Sequence, residues 1–155
     1  MENNDQPVID VLYHHISIAE DGKYGYETAA KDVTDDRLKS LFHQYADERR
    51  EYIRILQNQV RNLGGEIKPN DDGGPIGAIH RTWIDFKSLV TGGDRDPILK
   101  ACITGEEAAV SAYKKAIENP IITGATMQIV AAQSVGVESA LKIIREHLED
   151  ESFRP

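Results

Sequence analysis

The stretch LKSLFHQYADERREYIRILQNQVRNL, Leu38–Leu63, decides the fold. Leu38, Phe42, Tyr45, Tyr52, Leu56, Val60 and Leu63 recur at steps of three and four, the spacing of one face of an α-helix. At about 100° per residue the gap in that face between Tyr45 and Tyr52 is filled by Arg49. Glu48 falls at the edge of the stripe and Glu51 nearer solvent. A long amphipathic helix with a cation at its buried mid-point is an unusual combination, because an isolated buried charge is very costly.

The same periodicity extends to both sides. A first helix is expected from just after Pro7 to about Lys31, with Ile9, Leu12, Ile16, Ala19 and Ala30 on one face. Thr34 is the expected N-cap of the second helix, with Asp35 and Asp36 behind it, and Gly64-Gly65 the expected stop. GGEIKPNDDGGP, 64–75, reads as a loop. A shorter third helix then carries Ile76, Ile79, His80, Trp83, Phe86 and Val90. TGGDRDP, 91–97, breaks the chain again. A fourth helix runs from about Pro97 to Glu118, with Leu99, Cys102, Glu106, Ala109, Val110 and Tyr113 in line. The fifth, after Pro120, turns Val130, Val137, Leu141, Ile144 and Leu148 inward. No segment alternates as a strand would, so the chain reads as all-α.

The helix lengths imply a topology. Four helices of about 22–30 residues, roughly 33–45 Å each, match a four-helix bundle, and the third is too short to belong to it. A short turn makes the first two antiparallel. If the short helix is a crossover, the fourth runs parallel to the second, which is the ferritin-like arrangement. One domain over residues 1–155, with its core at about 8–149, accounts for a chain of this length.

Composition excludes several functions. A net charge of -8 with no basic cluster provides no surface for nucleic acid or for anionic membranes. MENNDQP, residues 1–7, does not resemble a leader, and no stretch approaches the roughly 20 apolar residues of a membrane span. A cytoplasmic protein is the expectation. The single cysteine, Cys102, has no Cys or His at zinc-ligand spacing and reads as a buried apolar residue. No nucleophile and base occur together, so no hydrolase or transferase signature is present. TGGD, 91–94, reads as a helix connector rather than a phosphate loop.

Five segments resemble a known family. They are DGKYGYETAAKDV (Asp21–Val33), LFHQYADERREY (Leu41–Tyr52), VRNLGG (Val60–Gly65), GAIHRTWIDFKSLVTGGD (Gly77–Asp94) and GEEAAVSAYKKAI (Gly105–Ile117). Together they resemble a bacterial four-helix-bundle family of unknown function within the ferritin-like group. The resemblance spans about Val8 to Ile144, and its HR-x-W and TGGD elements are its most specific parts. It implies the ferritin-like fold and a loose link to bacterial stress proteins, with no activity. Relatives often carry a histidine in the last helix, which QSVGVESALKII, Gln133–Ile144, lacks.

A carboxylate-bridged metal bundle takes a Glu from each of two helices and a Glu-x-x-His from each of the others. This chain contains no Glu-x-x-His, and the positions that would supply one on the second helix hold Arg49 and Tyr52. Glu20 and Glu27 fall on the stripe of Ile9, Leu12 and Ile16, and Glu106 is at the centre of the fourth helix's stripe. The expected site is therefore a buried polar network of Glu20, Glu27, Arg49, Tyr52 and Glu106, with Arg49 binding carboxylates where a metal pair would otherwise lie. The alternative is an iron or manganese site made of Glu20, Glu27, Glu48 and Glu106. His43 and Asp47, four apart, form a possible surface chelate or, more simply, a solvated face. His80 and Trp83 are the expected contact surface of a homo-oligomer, most simply a dimer. The expected function is a non-enzymatic structural or interaction module without cofactor.

Overall fold

The computed structural model describes residues 5–67 and 94–150. Within them lie four long helices: α1 (Gln6–Asp32), α2 (Asp36–Asn62), α3 (Arg95–Glu118) and α4 (Gly124–Glu149). The first two expected helices are α1 and α2, and the fourth and fifth are α3 and α4. The short crossover helix, with His80 and Trp83, lies outside the described residues.

Local chemistry sets the boundaries. Pro7 occupies the first turn of α1, where its missing N–H is not needed. The N-cap of α2 is Asp35, not the expected Thr34: its carboxylate accepts from the amides of Arg37 and Leu38 at 2.9 and 3.1 Å. Gly64 ends α2 with φ +86°, a left-handed conformation that costs glycine little. Pro120 stands just beyond α3, and Gly124, φ +56°, opens α4.

Three apolar clusters show how the helices run. Tyr26, Ala30, Leu38, Phe42, Ile98, Cys102, Ala140 and Ile144 share one end of the bundle. That end holds the C-terminal part of α1, the start of α2, the start of α3 and the later part of α4. Ile9, Leu12, Leu56 and Val60 pack at the other end, and Ile18, Ala109, Tyr113, Val130 and Val137 form a third cluster. Arg95 donates to the carbonyl of His147, tying the start of α3 to the end of α4. So α2 and α3 are parallel, and the chain leaves α2 at one end and enters α3 at the other. Besides the hairpin contacts, α1 packs on α3 and α2 on α4. Among the described residues no helix is long and apolar enough to cross a membrane.

Candidate functional site

Arg49 and Glu106 meet at the centre of this bundle. Arg49 lies on the buried face of α2 between Tyr45 and Leu56, and Glu106 on that of α3 between Cys102 and Ala109. Arg49 is 2% exposed and Glu106 0%. The Nη2 of Arg49 donates to Oε2 of Glu106 in a buried ion pair. The guanidinium carbon stands 5.5 Å from the centre of the Tyr26 ring and 5.7 Å from that of Tyr52, so aromatic faces contribute to holding the cation. Nε of Arg49 and Oε1 of Glu106 are buried without a hydrogen bond of their own.

Two glycines make room for this arrangement. A Cβ on Gly22 of α1 would lie 3.0 Å from Nη1 of Arg49 and 3.6 Å from its Cδ. A Cβ on Gly136 of α4 would lie 1.8 Å from the Tyr52 hydroxyl. The site therefore draws on all four helices: Gly22 and Tyr26, Arg49 and Tyr52, Glu106, and Gly136.

The electrostatics follow from burial. Burial works most strongly against the charge on Arg49, but Glu106 together with Tyr26 and Tyr113 outweighs it and holds the guanidinium pKa above its usual value, so it stays protonated. Tyr26 is pushed well above the ordinary phenol range, first by burial and next by the charge of Glu106, with Arg49 opposing. Burial likewise raises Tyr45, Tyr52 and Tyr113. The Cys102 thiol is raised by burial and by Glu106, against the pull of Arg49. The tyrosines thus stay neutral, and the thiol is unreactive near neutral pH.

A second polar string runs beside the pair. The Tyr113 hydroxyl donates to Oε1 of Gln133 at 2.6 Å, and Nε2 of Gln133 donates to the Tyr52 carbonyl at 3.3 Å. His15, buried on α1, places its ring edge-on to Tyr113 at 4.7 Å, with Nδ1 3.0 Å from the Val11 carbonyl. Desolvation lowers the His15 pKa and favours the neutral ring.

The other expected site residues lie elsewhere. Glu27, expected inside, is 41% exposed and pairs with Arg50 at 2.6 Å. Glu20 is half-buried beside Lys23 and Asp21, and burial raises its carboxyl pKa. The buried stripe of α1 passes through Leu12, His15, Ala19, Gly22, Tyr26 and Ala29, stepping alternately by three and four. Counting from Leu12 through Ile16 to Glu20 in steps of four rotates outward by about 80°. That drift misplaced both glutamates. Glu48 and Glu51, with Ser40, His43, Gln44 and Asp47, line a shallow open depression on the outer side of α2. Asp47 pairs there with Arg50, and Glu51 with Arg54. Glu20, Glu27, Glu48 and Glu106 therefore do not converge. Among the described residues no three His, Cys, Asp or Glu side chains could hold a metal ion. The residues present do not fit a metal pair: a fixed guanidinium lies among them, with one carboxylate beside it. Gly22, Tyr26 and Gly136 were not foreseen as site residues, and neither glycine has a side chain that an apolar period could mark.

Comparison with known proteins agrees with this architecture. A family model described as a domain of unknown function, DUF2383, matches residues 7–119, well over half of the chain. No curated protein matches the sequence. The structure is similar to that of a dodecameric thioferritin, the bacterioferritin-related protein from Bacteroides fragilis. The TM-score is 0.75 at 18% identity, over 98% of this chain and 93% of that one. At that identity the likeness establishes the fold, a ferritin-like four-helix bundle.

Proposed function

The chain belongs to the family described as domain of unknown function DUF2383, and from that premise we propose that it is a non-enzymatic ferritin-like module that assembles with copies of itself. The observation that carries this reading is the Arg49–Glu106 pair in the middle of the bundle. Ferritin-like di-metal sites gather carboxylates and histidines around divalent cations at mid-bundle. Here a guanidinium supplies the positive charge instead, and tyrosine rings fill the space around it. A divalent cation entering this region meets a like charge that cannot be removed by deprotonation. The pair joins α2 to α3 and serves to hold the fold in register, not to perform chemistry.

Self-assembly is supported by the fold neighbour, which is dodecameric. A dimer is the smallest form consistent with the reading. We place the protein in the bacterial cytoplasm, in a stress-linked setting, on family resemblance alone. Metal analysis of protein purified without chelators, together with its native mass, tests the proposal. The expected result is substoichiometric iron and manganese and a mass of at least twice 17.3 kDa. A stoichiometric metal pair that is lost in Glu106→Gln would overturn it.

A further inference from the structure

The outer face of the first half of α4 differs in charge from the rest of the described surface. From Pro120 to Val137 the sequence holds no charged residue. The exposed positions of α2 and α3 are rich in charge, among them Arg50, Arg54, Glu107 and Lys114. On α4 the inward positions are Thr126, Val130, Gln133, Ser134 and Val137, which leaves Ala125, Gln128, Ala132 and Val135 facing outward. Val135 is 68% exposed and Ile121, just before the helix, 42%. These are two of the three large hydrophobic side chains strongly exposed among the described residues. Charge returns at Glu138, and beyond it Arg145 pairs with Glu107.

We propose that this face is where a second copy of the chain docks, each copy presenting the same α4 surface across a two-fold axis. The proposal rests on the self-assembly reading above and names its contact. A net charge of -8 makes two copies repel wherever their acidic faces meet. A two-fold contact sets a patch against itself, so the patch must be free of like charge, and the outer half of α4 meets that condition. Its short side chains let two helix axes approach to about 8–10 Å, close enough to bury Val135 and Ile121. The half-buried Met127 and Ile129 widen the apolar surface on either side.

Residues 63–67, just after α2, turn to α1, where the Glu66 carbonyl accepts from the Tyr13 hydroxyl and a Cβ on Gly65 would lie 3.2 Å from Ile9. Helix α1 is diagonally across the bundle from α4, since each packs on α2 and α3.

The test compares native masses by light scattering at one concentration, with circular dichroism as the check on folding. Val135→Glu places a carboxylate in the centre of the face. Ser17→Glu makes the same change at an exposed position of α1. Wild type and Ser17→Glu are expected at two or more times 17.3 kDa, and Val135→Glu at half that mass or less with unchanged helicity. If Val135→Glu loses helical signal, Ala132→Lys, at another exposed position, replaces it. An oligomeric wild type whose mass survives Val135→Glu overturns the α4 contact and leaves the self-assembly reading standing. A monomeric wild type overturns both. An equal loss of mass in Ser17→Glu overturns the assignment to α4.

Discussion

Replacing Arg49 with methionine leaves Glu106, 0% exposed, without its cation. Breaking one side of a buried ion pair typically costs about 3–5 kcal/mol, because the remaining charge keeps its desolvation penalty and loses its partner. Methionine is flexible enough to fill the space beside Tyr26 and Tyr52, so the cavity contribution is small. With a urea m-value of about 2 kcal/mol/M, that loss moves the unfolding midpoint down by about 1.5–2.5 M. Glu106→Leu is expected to cost a similar amount, since it strands the guanidinium. The double variant Arg49→Met/Glu106→Leu removes both charges and is expected near wild type or above it, as apolar replacements of buried pairs often are. The pair's coupling is therefore expected to exceed about 3 kcal/mol in a double-mutant cycle. Urea unfolding followed by circular dichroism measures all four proteins. A cost below about 1 kcal/mol for Arg49→Met, or single-variant losses that add in the double variant to within about 0.5 kcal/mol, would refute a buried, coupled pair.

Gly136→Ala forces the Tyr52 hydroxyl aside, since the new Cβ would lie 1.8 Å from it. A loss of about 1–3 kcal/mol from overpacking, offset by up to about 1 kcal/mol of helix propensity, is expected in thermal or urea unfolding. In a Tyr52→Phe background the nearest ring atom, Cζ, is 3.1 Å away, and most of the cost should disappear; an unchanged cost would place the strain elsewhere. Burial depresses the His15 pKa in the folded state, so as pH falls from about 7 through its unfolded value of about 6.5 the unfolded chain takes up the proton first. Stability should fall as pH drops below about 6.5 toward the lower folded-state pKa, by at most about 1.4 kcal/mol per pH unit for one proton. His15→Phe should flatten this slope relative to wild type, and parallel slopes would mean that His15 titrates as freely folded as unfolded. Cys102 should resist a thiol reagent in native protein and react at the rate of unfolding, because burial and Glu106 hold it as the neutral thiol. Rapid stoichiometric labelling without loss of structure would contradict that burial.

The four helices were legible because their apolar residues recur at helical spacing and because Pro7, Gly64 and Pro120 punctuate them. Boundaries came within a few residues. The cap of α2 was misplaced by one position, since Thr34 and Asp35 are both good caps and only the backbone decides between them. Arg49 was placed inside by helix phase alone, and so was Glu106. Glu20 and Glu27 were misplaced for a related reason: Ile16 lies toward the edge of the α1 stripe, and its centre includes His15 and Gly22, which no apolar pattern marks.

The sequence by itself determined the helices, the buried faces of α2, α3 and α4, the absence of any Glu-x-x-His and the acidic charge of the molecule. Those are properties of one helix at a time, set by local spacing and composition. Only the tertiary structure decided which carboxylate meets Arg49. That choice depends on two residues 57 apart in sequence, on different helices, coming together at one height. It also decided that Gly22 and Gly136 are there to be small: a glycine's purpose lies in what stands opposite it, and here that is Arg49 and Tyr52.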